Sequence, residues 1–288
     1  MNGMLLNGNM IRNMIRSMLS CARLWRGMML WGLLLLLVSC DKDPETSAPV
    51  VEDPADTTAA PSDSTAVSYP FSFEGYTHFF ATQKLPYRVA RIGHVQEGGS
   101  RLVMYLHGGT SRGEDNNAQL TEPAVDSIAG FLSRTSTPSV LLVPQCPAGE
   151  SWDSPRMLKA LQLLLLSYVD SGCVDQRMVY VLGGSMGGTG TWRLLYAFPR
   201  LFAAGMPCAG NPSRASADSI ALVPVYTVMG TADQIMSIPT VRGFLAKLDS
   251  LKGTYRYDEQ EGWTHQQTCM DSYTAARLRW VFSQRISE

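Results

Sequence analysis

The sequence predicts an α/β fold with a mostly parallel central sheet that is covered by helices on both faces. Short apolar runs alternate with amphipathic stretches throughout residues 69–288, which is the order expected of parallel strands joined by crossover helices. A glycine-rich turn directly follows the apolar run at Met178–Leu182, where such a sheet passes from a strand to a helix. A stretch of about 220 residues suits one domain of this kind.

Each predicted strand is a short apolar run bounded by turn residues. Tyr76–Phe80 and Tyr87–Ile92 come first and predict an antiparallel hairpin at the edge of the sheet. Fewer than twenty residues separate the fourth and fifth parallel strands, which leaves no room for a large cap domain. The parallel strands are predicted, in chain order, at Leu102–Leu106, Val140–Val143, Met178–Leu182, Ala203–Pro207, Val225–Met229 and Tyr255–Glu259.

Helices are predicted between these strands from apolar residues that recur at helical spacing. In the clearest case, Met157, Leu161 and Leu164 fall on one face of a single stretch. The helical stretches are 122–134, 155–171, 187–198, 239–251 and 270–285.

The charge is distributed unevenly, although the net charge is only −1. Residues 1–40 carry four arginines and no acid, and residues 41–68 carry seven acids and one lysine. Residues 69–288 carry 19 bases and 18 acids. This long C-terminal part is therefore close to neutral, which argues against the basic surface that nucleic-acid binding requires.

Residues 1–40 begin with a basic stretch that leads into a short apolar run. The four arginines precede Met28–Val38, which is too short to span a bilayer as a helix, and this order is typical of a secretory signal. The run ends in Leu37-Val38-Ser39-Cys40, which resembles the lipobox of bacterial lipoproteins. The resemblance implies cleavage before Cys40, acylation of that residue and lipid anchoring in the bacterial cell envelope, at the outer membrane and facing either the periplasm or the cell surface. An uncut signal anchor is the alternative.

Residues 41–68 are acidic, rich in Pro, Ser and Thr, and nearly free of large apolar side chains. Such a segment cannot bury enough apolar surface to offset its ordering entropy, so we predict a disordered tether. Its acids resemble the surface-export signals of Bacteroidetes-type lipoproteins. The predicted organisation is a signal peptide over 1–39, the lipidated cysteine and tether over 40–68, and one domain over 69–288.

The glycine-rich turn reads Gly183-Gly184-Ser185-Met186-Gly187 and fits the pattern G-x-S-x-G. Between a strand and a helix, this pattern forms a sharp turn that exposes the serine hydroxyl above the carboxyl edge of the sheet. Gly183 and Gly187 would let the strand and the helix approach closely. The sequence therefore predicts Ser185 as a nucleophile, whereas a glycine-rich turn with an incidental serine is the alternative.

A serine nucleophile needs a histidine base and an acid that orients the base, in the chain order serine, acid, histidine. Of the four histidines, only His265 follows Ser185, and it comes after the last predicted strand. Asp233 follows the preceding strand, so its loop would lie beside the loop of His265. We predict a triad of Ser185, Asp233 and His265, with Asp218 as the second choice of acid. The other acids considered are Asp258, Glu259, Glu261 and Asp271.

Acyl transfer also requires hydrogen-bond donors for the oxyanion that develops in the transition state. The backbone N–H of Met186, directly after the nucleophile, is one predicted donor. The loop that begins His107-Gly108-Gly109-Thr110 supplies the second, from Gly109 or Thr110. His107 is expected to fix this loop rather than to act as the base.

Four separate segments resemble the α/β-hydrolase superfamily, over roughly residues 85–285. They are "YLHGGTSRGEDN", "VPQCPAGESW", "VYVLGGSMGGTGTW" and "VMGTADQIMSIP". They are most similar to its cap-less carboxylesterase branch, which includes feruloyl and acetylxylan esterases and prolyl-oligopeptidase-like peptidases. The chain departs from the family in having Met229 and Thr264 where His and Gly usually precede the acid and the base. The resemblance implies an α/β-hydrolase domain over 69–288 without a large cap.

The resemblance and the predicted surface anchor together favour a serine carboxylesterase that removes acyl groups from polysaccharide or from small esters. Trp152 and Trp263 are expected on exposed loops, where their rings could stack on sugar rings or a phenolic acyl group; packing in a core or loop is the alternative for each. Two other readings stay open: a peptidase or thioesterase with the same triad, and a non-catalytic glycan-binding lipoprotein. The oligomeric state is not predicted.

Cysteine usage and the other motifs add little to the functional hypothesis. The absence of a CxxC pattern or a His/Cys cluster predicts no metal site, and the glycine-rich turn lacks the lysine of a phosphate-binding loop, so no cofactor is predicted. An even number of cysteines in the domain permits disulfides, including a Cys208–Cys269 bridge, and equally permits thiols. The four cysteines concerned are Cys146, Cys173, Cys208 and Cys269.

Overall fold

Residues 70–80, 83–95 and 97–287 are those that the structure, a computed structural model, describes. The predicted signal peptide over 1–39, Cys40 as the lipidated residue and the tether over 40–68 lie outside the described residues and stay predictions. No helix within the described ranges is long and apolar enough to cross a membrane.

The described part of the chain forms one sheet of eight strands. These are β1 (Phe73–Phe80), β2 (Gln83–Ile92), β3 (Ser100–Leu106), β4 (Ser139–Pro144), β5 (Val174–Gly184), β6 (Ala204–Cys208), β7 (Val225–Gly230) and β8 (Tyr255–Gln260). Their order across the sheet is β1-β2-β4-β3-β5-β6-β7-β8. Strand β2 pairs antiparallel with β1 and β4, and all other pairs are parallel. The predicted edge hairpin and all six predicted parallel strands are confirmed.

The described ranges contain seven α-helices, of which five lie between strands and two follow β8. They are α1 (Pro123–Ser133), α2 (Pro155–Asp170), α3 (Met186–Ala197), α4 (Ala217–Ile220), α5 (Ile238–Ser250), α6 (His265–Asp271) and α7 (Ala275–Ser283). The first four predicted helices correspond to α1, α2, α3 and α5, with ends that differ by one residue or so.

The single helix predicted over 270–285 is wrong, because the chain forms α6 and α7 with a break between them. Helix α6 begins earlier than expected, since Thr264 and Gln267 form a reciprocal capping box at its first turn. At the break, Tyr273 is buried and its ring packs edge-on against Tyr105 of β3, with centroids 5.6 Å apart. The buried Tyr273 thus lies between the two helices and contacts the sheet.

The sheet is buried on both faces, as a doubly covered parallel sheet requires. In β3, Leu102, Met104 and Leu106 belong to one apolar cluster, while Val103 and Tyr105 belong to the other. The first cluster is covered by α2, α3 and α5, and the second by α1 and α7. The connection over 209–224, between β6 and β7, holds only the short helix α4, so no large cap covers the carboxyl edge of the sheet.

Candidate active site

Ser185 lies at the junction of β5 and α3 with backbone angles φ 57° and ψ −116°. Residues with a side chain rarely adopt a positive φ of this kind, so the backbone of Ser185 is strained. Its N–H donates a hydrogen bond of 3.0 Å to the carbonyl of Cys208 in β6, which holds the turn against the neighbouring strand. A Cβ at Gly187 would overlap the carbonyl oxygen of Leu106, and one at Gly183 would lie 2.5 Å from Gly187. The predicted steric reason for these two glycines is confirmed.

The structure brings together the three residues predicted as a triad. The Nε2 atom of His265 lies 2.8 Å from Ser185 Oγ, and its Nδ1 atom lies 2.8 Å from Asp233 Oδ2. A carboxylate only accepts hydrogen bonds, so Nδ1 carries the proton and Nε2 accepts the serine hydroxyl. The side chain of Asp233 is fully buried, and its other oxygen accepts the N–H groups of Ile235 and Met236 at 2.8 and 2.9 Å.

The competing acids have other surroundings. Asp258 accepts hydrogen bonds from Arg277 and Tyr226, at 2.7 and 2.8 Å. Glu259 pairs with Arg242. Asp218 lies in α4 beside the hydroxyl of Ser216. Asp233 is therefore the acid that the structure places against the ring of His265.

The three predicted oxyanion donors lie at two helix starts beside Ser185. Gly109 and Thr110 are the first residues of a 3₁₀ turn over Gly109–Ser111, and Met186 is the first residue of α3. The first N–H groups of a helix have no partner within the helix, so these amides remain available to an oxyanion. Gly109, Thr110 and Ser185 border the same cavity.

Glu122 is a residue of this site that the sequence analysis missed. Its Oε1 atom accepts the N–H of Gly108 at 2.7 Å and the hydroxyl of Ser111 at 2.9 Å. Its Oε2 atom accepts the Tyr105 hydroxyl at 2.6 Å. Burial raises the pKa of Tyr105 well above its usual value, so the phenol keeps the proton that it donates. One carboxylate thus holds both ends of the turn that carries Gly109.

His107 fixes the same loop from the other side, as the sequence predicts. Its Nδ1 atom lies 2.6 Å from the carbonyl of Gly108, and its Nε2 atom accepts the N–H of Cys146 at 2.9 Å. Only the neutral ring can donate and accept in this way. Burial lowers the pKa of His107, which favours that neutral form; Glu122 opposes this shift and Arg112 adds to it.

The exposed position predicted for Trp152 is wrong. Its side chain is fully buried, its indole N–H donates to the carbonyl of His107 at 3.0 Å, and its ring packs edge-on against the His107 ring. The absence of a side chain at Gly190 of α3 leaves room for it, because a Cβ there would overlap Trp152. A ring with no exposed surface cannot stack on a substrate.

Trp263 is partly buried. Its ring packs against the apolar cluster beneath α7, with the guanidinium of Arg277 at 5.8 Å from the ring centroid. It is not among the residues that border the cavity beside Ser185. The stacking role predicted for it therefore has no support from its position.

The cavity beside Ser185 has a volume of about 480 Å³ and is bordered by Glu122, Cys269 and Met270 besides the loop residues above. This volume is within the range of small-molecule sites, about 300–1,000 Å³. The Sγ atom of Cys269 lies 3.9 Å from His265 Nε2, and burial raises the pKa of this thiol, which keeps it protonated. Cys146, Cys208 and Cys269 are thiols, so no Cys208–Cys269 bridge forms. Among the described residues, no group of three or more His, Cys, Asp or Glu side chains could hold a metal ion.

Known proteins resemble this chain in sequence over a short range and in structure over most of its length. A bifunctional acetylxylan esterase/xylanase from Neocallimastix patriciarum is 33% identical over 72 residues, which cover 25% of this chain and 11% of that protein. A thermostable esterase of known structure is 28% identical with a TM-score of 0.68, over 74% of this chain and 63% of its own. A ferulic acid esterase is 14% identical with a TM-score of 0.60, over 75% and 99%. No model of a known protein family matches the chain.

The chain has the α/β-hydrolase fold. The fold class implied by the four sequence segments is confirmed, including the lack of a large cap. This chain spans a small part of the first protein above and less than two thirds of the thermostable esterase. Their activities are therefore a basis for a proposal about this chain.

Proposed function

We propose that this protein is a serine carboxylesterase that cleaves acyl esters through an acyl-enzyme intermediate on Ser185. The observation that carries the proposal is the continuous hydrogen-bonded chain from Asp233 through His265 to Ser185 Oγ. A glycan-binding protein would have no need for a strained serine that is aligned with a base and a buried acid. The esterase neighbours of the same fold support this choice of activity.

The reaction follows from the positions of these atoms. As Ser185 Oγ attacks the ester carbonyl, His265 Nε2 takes the hydroxyl proton, and the buried carboxylate of Asp233 stabilises the imidazolium. The oxyanion receives the N–H of Met186 and an N–H from Gly109 or Thr110. The imidazolium then protonates the leaving alcohol, and water attacks the acyl-serine with His265 as base. The free enzyme and a carboxylic acid result.

We further propose that the acyl group is carried by a polysaccharide. The uncovered carboxyl edge admits a bulky alcohol, and two of the similar proteins are an acetylxylan esterase and a ferulic acid esterase. The segment that ends at Cys40 resembles a lipoprotein signal, which would place the domain at the bacterial envelope, where it would encounter such polymers. Neither Trp152 nor Trp263 is part of this proposal.

Covalent labelling tests the nucleophile. A fluorophosphonate probe should modify the wild-type protein at Ser185, as read by peptide mass spectrometry. Ser185→Ala should abolish labelling and lower the hydrolysis of p-nitrophenyl acetate by at least about 10³-fold. Ser213→Ala, at an exposed serine, is the matched control and should behave as wild type. A folded wild-type protein that takes up no probe would favour the glycan-binding alternative.

Substrate comparison tests the leaving group once labelling has succeeded. Rates on acetylated and feruloylated xylan are compared with rates on a peptidyl amide and on an acyl thioester. Release of acetate or ferulate as the fastest reaction supports the proposal. A faster amide or thioester reaction would reassign the protein as a peptidase or a thioesterase.

A further inference from the structure

A second cavity, of about 400 Å³, lies at the amino edge of the sheet, where the parallel strands begin. This edge is opposite the carboxyl edge that carries Ser185. It is bordered by Arg101 near the start of β3, by Arg134 at the end of α1 and by Arg279 in α7. The other end of β3 leads into the Gly109 turn. At about 3.3 Å per residue, that strand keeps Arg101 roughly 17 Å from the residues beside Ser185.

Arg101 is a buried cation without an acidic partner. Only 6% of its surface is exposed, and its Nε–H has no hydrogen-bond partner. Its Nη1 atom makes a long bond of 3.4 Å to the hydroxyl of Thr135, and its guanidinium lies 5.1 Å from the ring centroid of Phe282. A buried charge normally has an opposite charge beside it, because desolvation is otherwise costly. Burial lowers the pKa of Arg101, Tyr180 opposes this effect, and Arg285 adds to it.

Arg134 and Arg279 add two exposed guanidiniums to the same cavity. Neither forms an ion pair with the described residues, and no Asp or Glu borders the cavity. Arg134 follows α1, whose end carries about half a negative charge. That partial charge does not balance three guanidiniums. The cavity is therefore strongly cationic, although residues 69–288 as a whole are nearly neutral.

We propose that this cavity is a binding site for a phosphate group, with Arg101 as its buried contact and Arg134 and Arg279 at its rim. The guanidinium fork matches phosphate oxygens in geometry, and a phosphate monoester carries nearly two negative charges at neutral pH. A single carboxylate would balance only one of the three cations. The cavity volume of about 400 Å³ leaves room for an organic group attached to the phosphate.

Calorimetric titration of the full-length protein with glucose 6-phosphate tests this site, with glucuronate as the carboxylate analogue and sodium chloride at equal ionic strength. We expect glucose 6-phosphate to bind equally to wild type and to the charge-matched control Arg200→Ala/Lys252→Ala, which removes two exposed positive charges outside the cavity. The double variant Arg134→Ala/Arg279→Ala should bind at least 10-fold more weakly. Equal binding by the double variant, or binding of glucuronate as tight as that of the phosphate, would overturn the proposal.

Arg101→Met separates ligand binding from structural support. If Arg101 serves the ligand, this substitution should leave the Tm of the ligand-free protein unchanged or higher. It replaces an unpaired buried charge with an apolar side chain of similar volume. It should also remove the rise in Tm that glucose 6-phosphate causes. A lower ligand-free Tm with an undiminished phosphate effect would contradict the assignment.

The source of the phosphate is decided by a sedimentation assay. Vesicles of phosphatidylcholine with phosphatidic acid are compared with vesicles of phosphatidylcholine alone, using wild type and the double variant. Vesicle binding that depends on Arg134 and Arg279 assigns a lipid headgroup, whereas binding of glucose 6-phosphate alone assigns a soluble phosphate ester. Esterase activity should be equal in wild type and the double variant. A failure of the phosphate-binding proposal therefore leaves the proposed function unaffected.

Discussion

The two edges of the sheet treat charge in opposite ways. At the carboxyl edge, both carboxylates beside the nucleophile are fully engaged: Asp233 accepts three hydrogen bonds, and so does Glu122. At the amino edge, Arg101 is equally deep but has one long hydrogen bond and no acid beside it. The same apolar core supports both edges.

This difference separates a site that is complete from one that needs a ligand. Fixed partners hold charges in position before a substrate arrives, which is what electrostatic stabilisation of a transition state requires. An unpaired buried charge gains its partner only on binding. Substitutions at the carboxyl edge should therefore change the rate of reaction, whereas those at the amino edge should change binding of the anion.

The largest effect after that of Ser185 itself is expected at Asp233. Asp233→Asn keeps the shape of the side chain but favours the wrong tautomer of His265, so kcat should fall by about 10³–10⁴-fold. Steady-state kinetics on p-nitrophenyl acetate measure this effect. Asp258→Asn, at a competing acid, is the comparison and should leave kcat within a few-fold of wild type. The reverse ranking would show that the acid has been misassigned.

A smaller effect is expected at Glu122, which holds the Gly109–Ser111 turn through its bonds to Gly108 and Ser111. Glu122→Ala should lower kcat by about 10–100-fold with little change in KM, because the turn loosens while the nucleophile and the base stay in place. Glu122→Gln keeps an acceptor for Gly108 and should recover most of the rate. A rise in KM alone, or no recovery by glutamine, would contradict a positioning role.

The smallest effect concerns stability at acidic pH. The pKa of His107 is lower in the folded protein than the value near 6.5 of an unfolded chain, so the unfolded state binds more protons once the pH falls below about 6.5. Stability from this residue is therefore present above that pH and lost below it. His107→Gln should show a smaller fall in Tm between pH 7 and pH 5 than wild type does. An equal or larger fall in the variant would argue against His107.

The order of strands and the spacing of the triad could be read from the sequence because both follow from chain direction. Parallel strands end at one edge, so the loops that hold Ser185, Asp233 and His265 meet there whatever the details of packing. Gly183 and Gly187 predicted the same turn, because a side chain at either position would collide with neighbouring backbone. Element type and site order were therefore predictable from local patterns.

Features that depend on contacts between distant segments were not predictable. Trp152 stands among turn residues, which suggested exposure, yet the space above Gly190 lets it enter the core. Glu122 has no local motif, because its three partners come from a strand and a loop that lie 11 to 17 residues away. Arg101 looked like one base in a neutral domain, and only its burial distinguishes it.

The backbone of Ser185 has a consequence for the stability of the fold. A positive φ with ψ near −116° is open to glycine but unfavourable for a residue with a side chain, by about 1–3 kcal/mol. The hydrogen bond to Cys208 and the close packing at Gly183 and Gly187 maintain this angle. Selection for thermal robustness alone would thus favour a residue without a side chain at position 185, so the fold gives up stability for the hydroxyl that the proposed reaction needs.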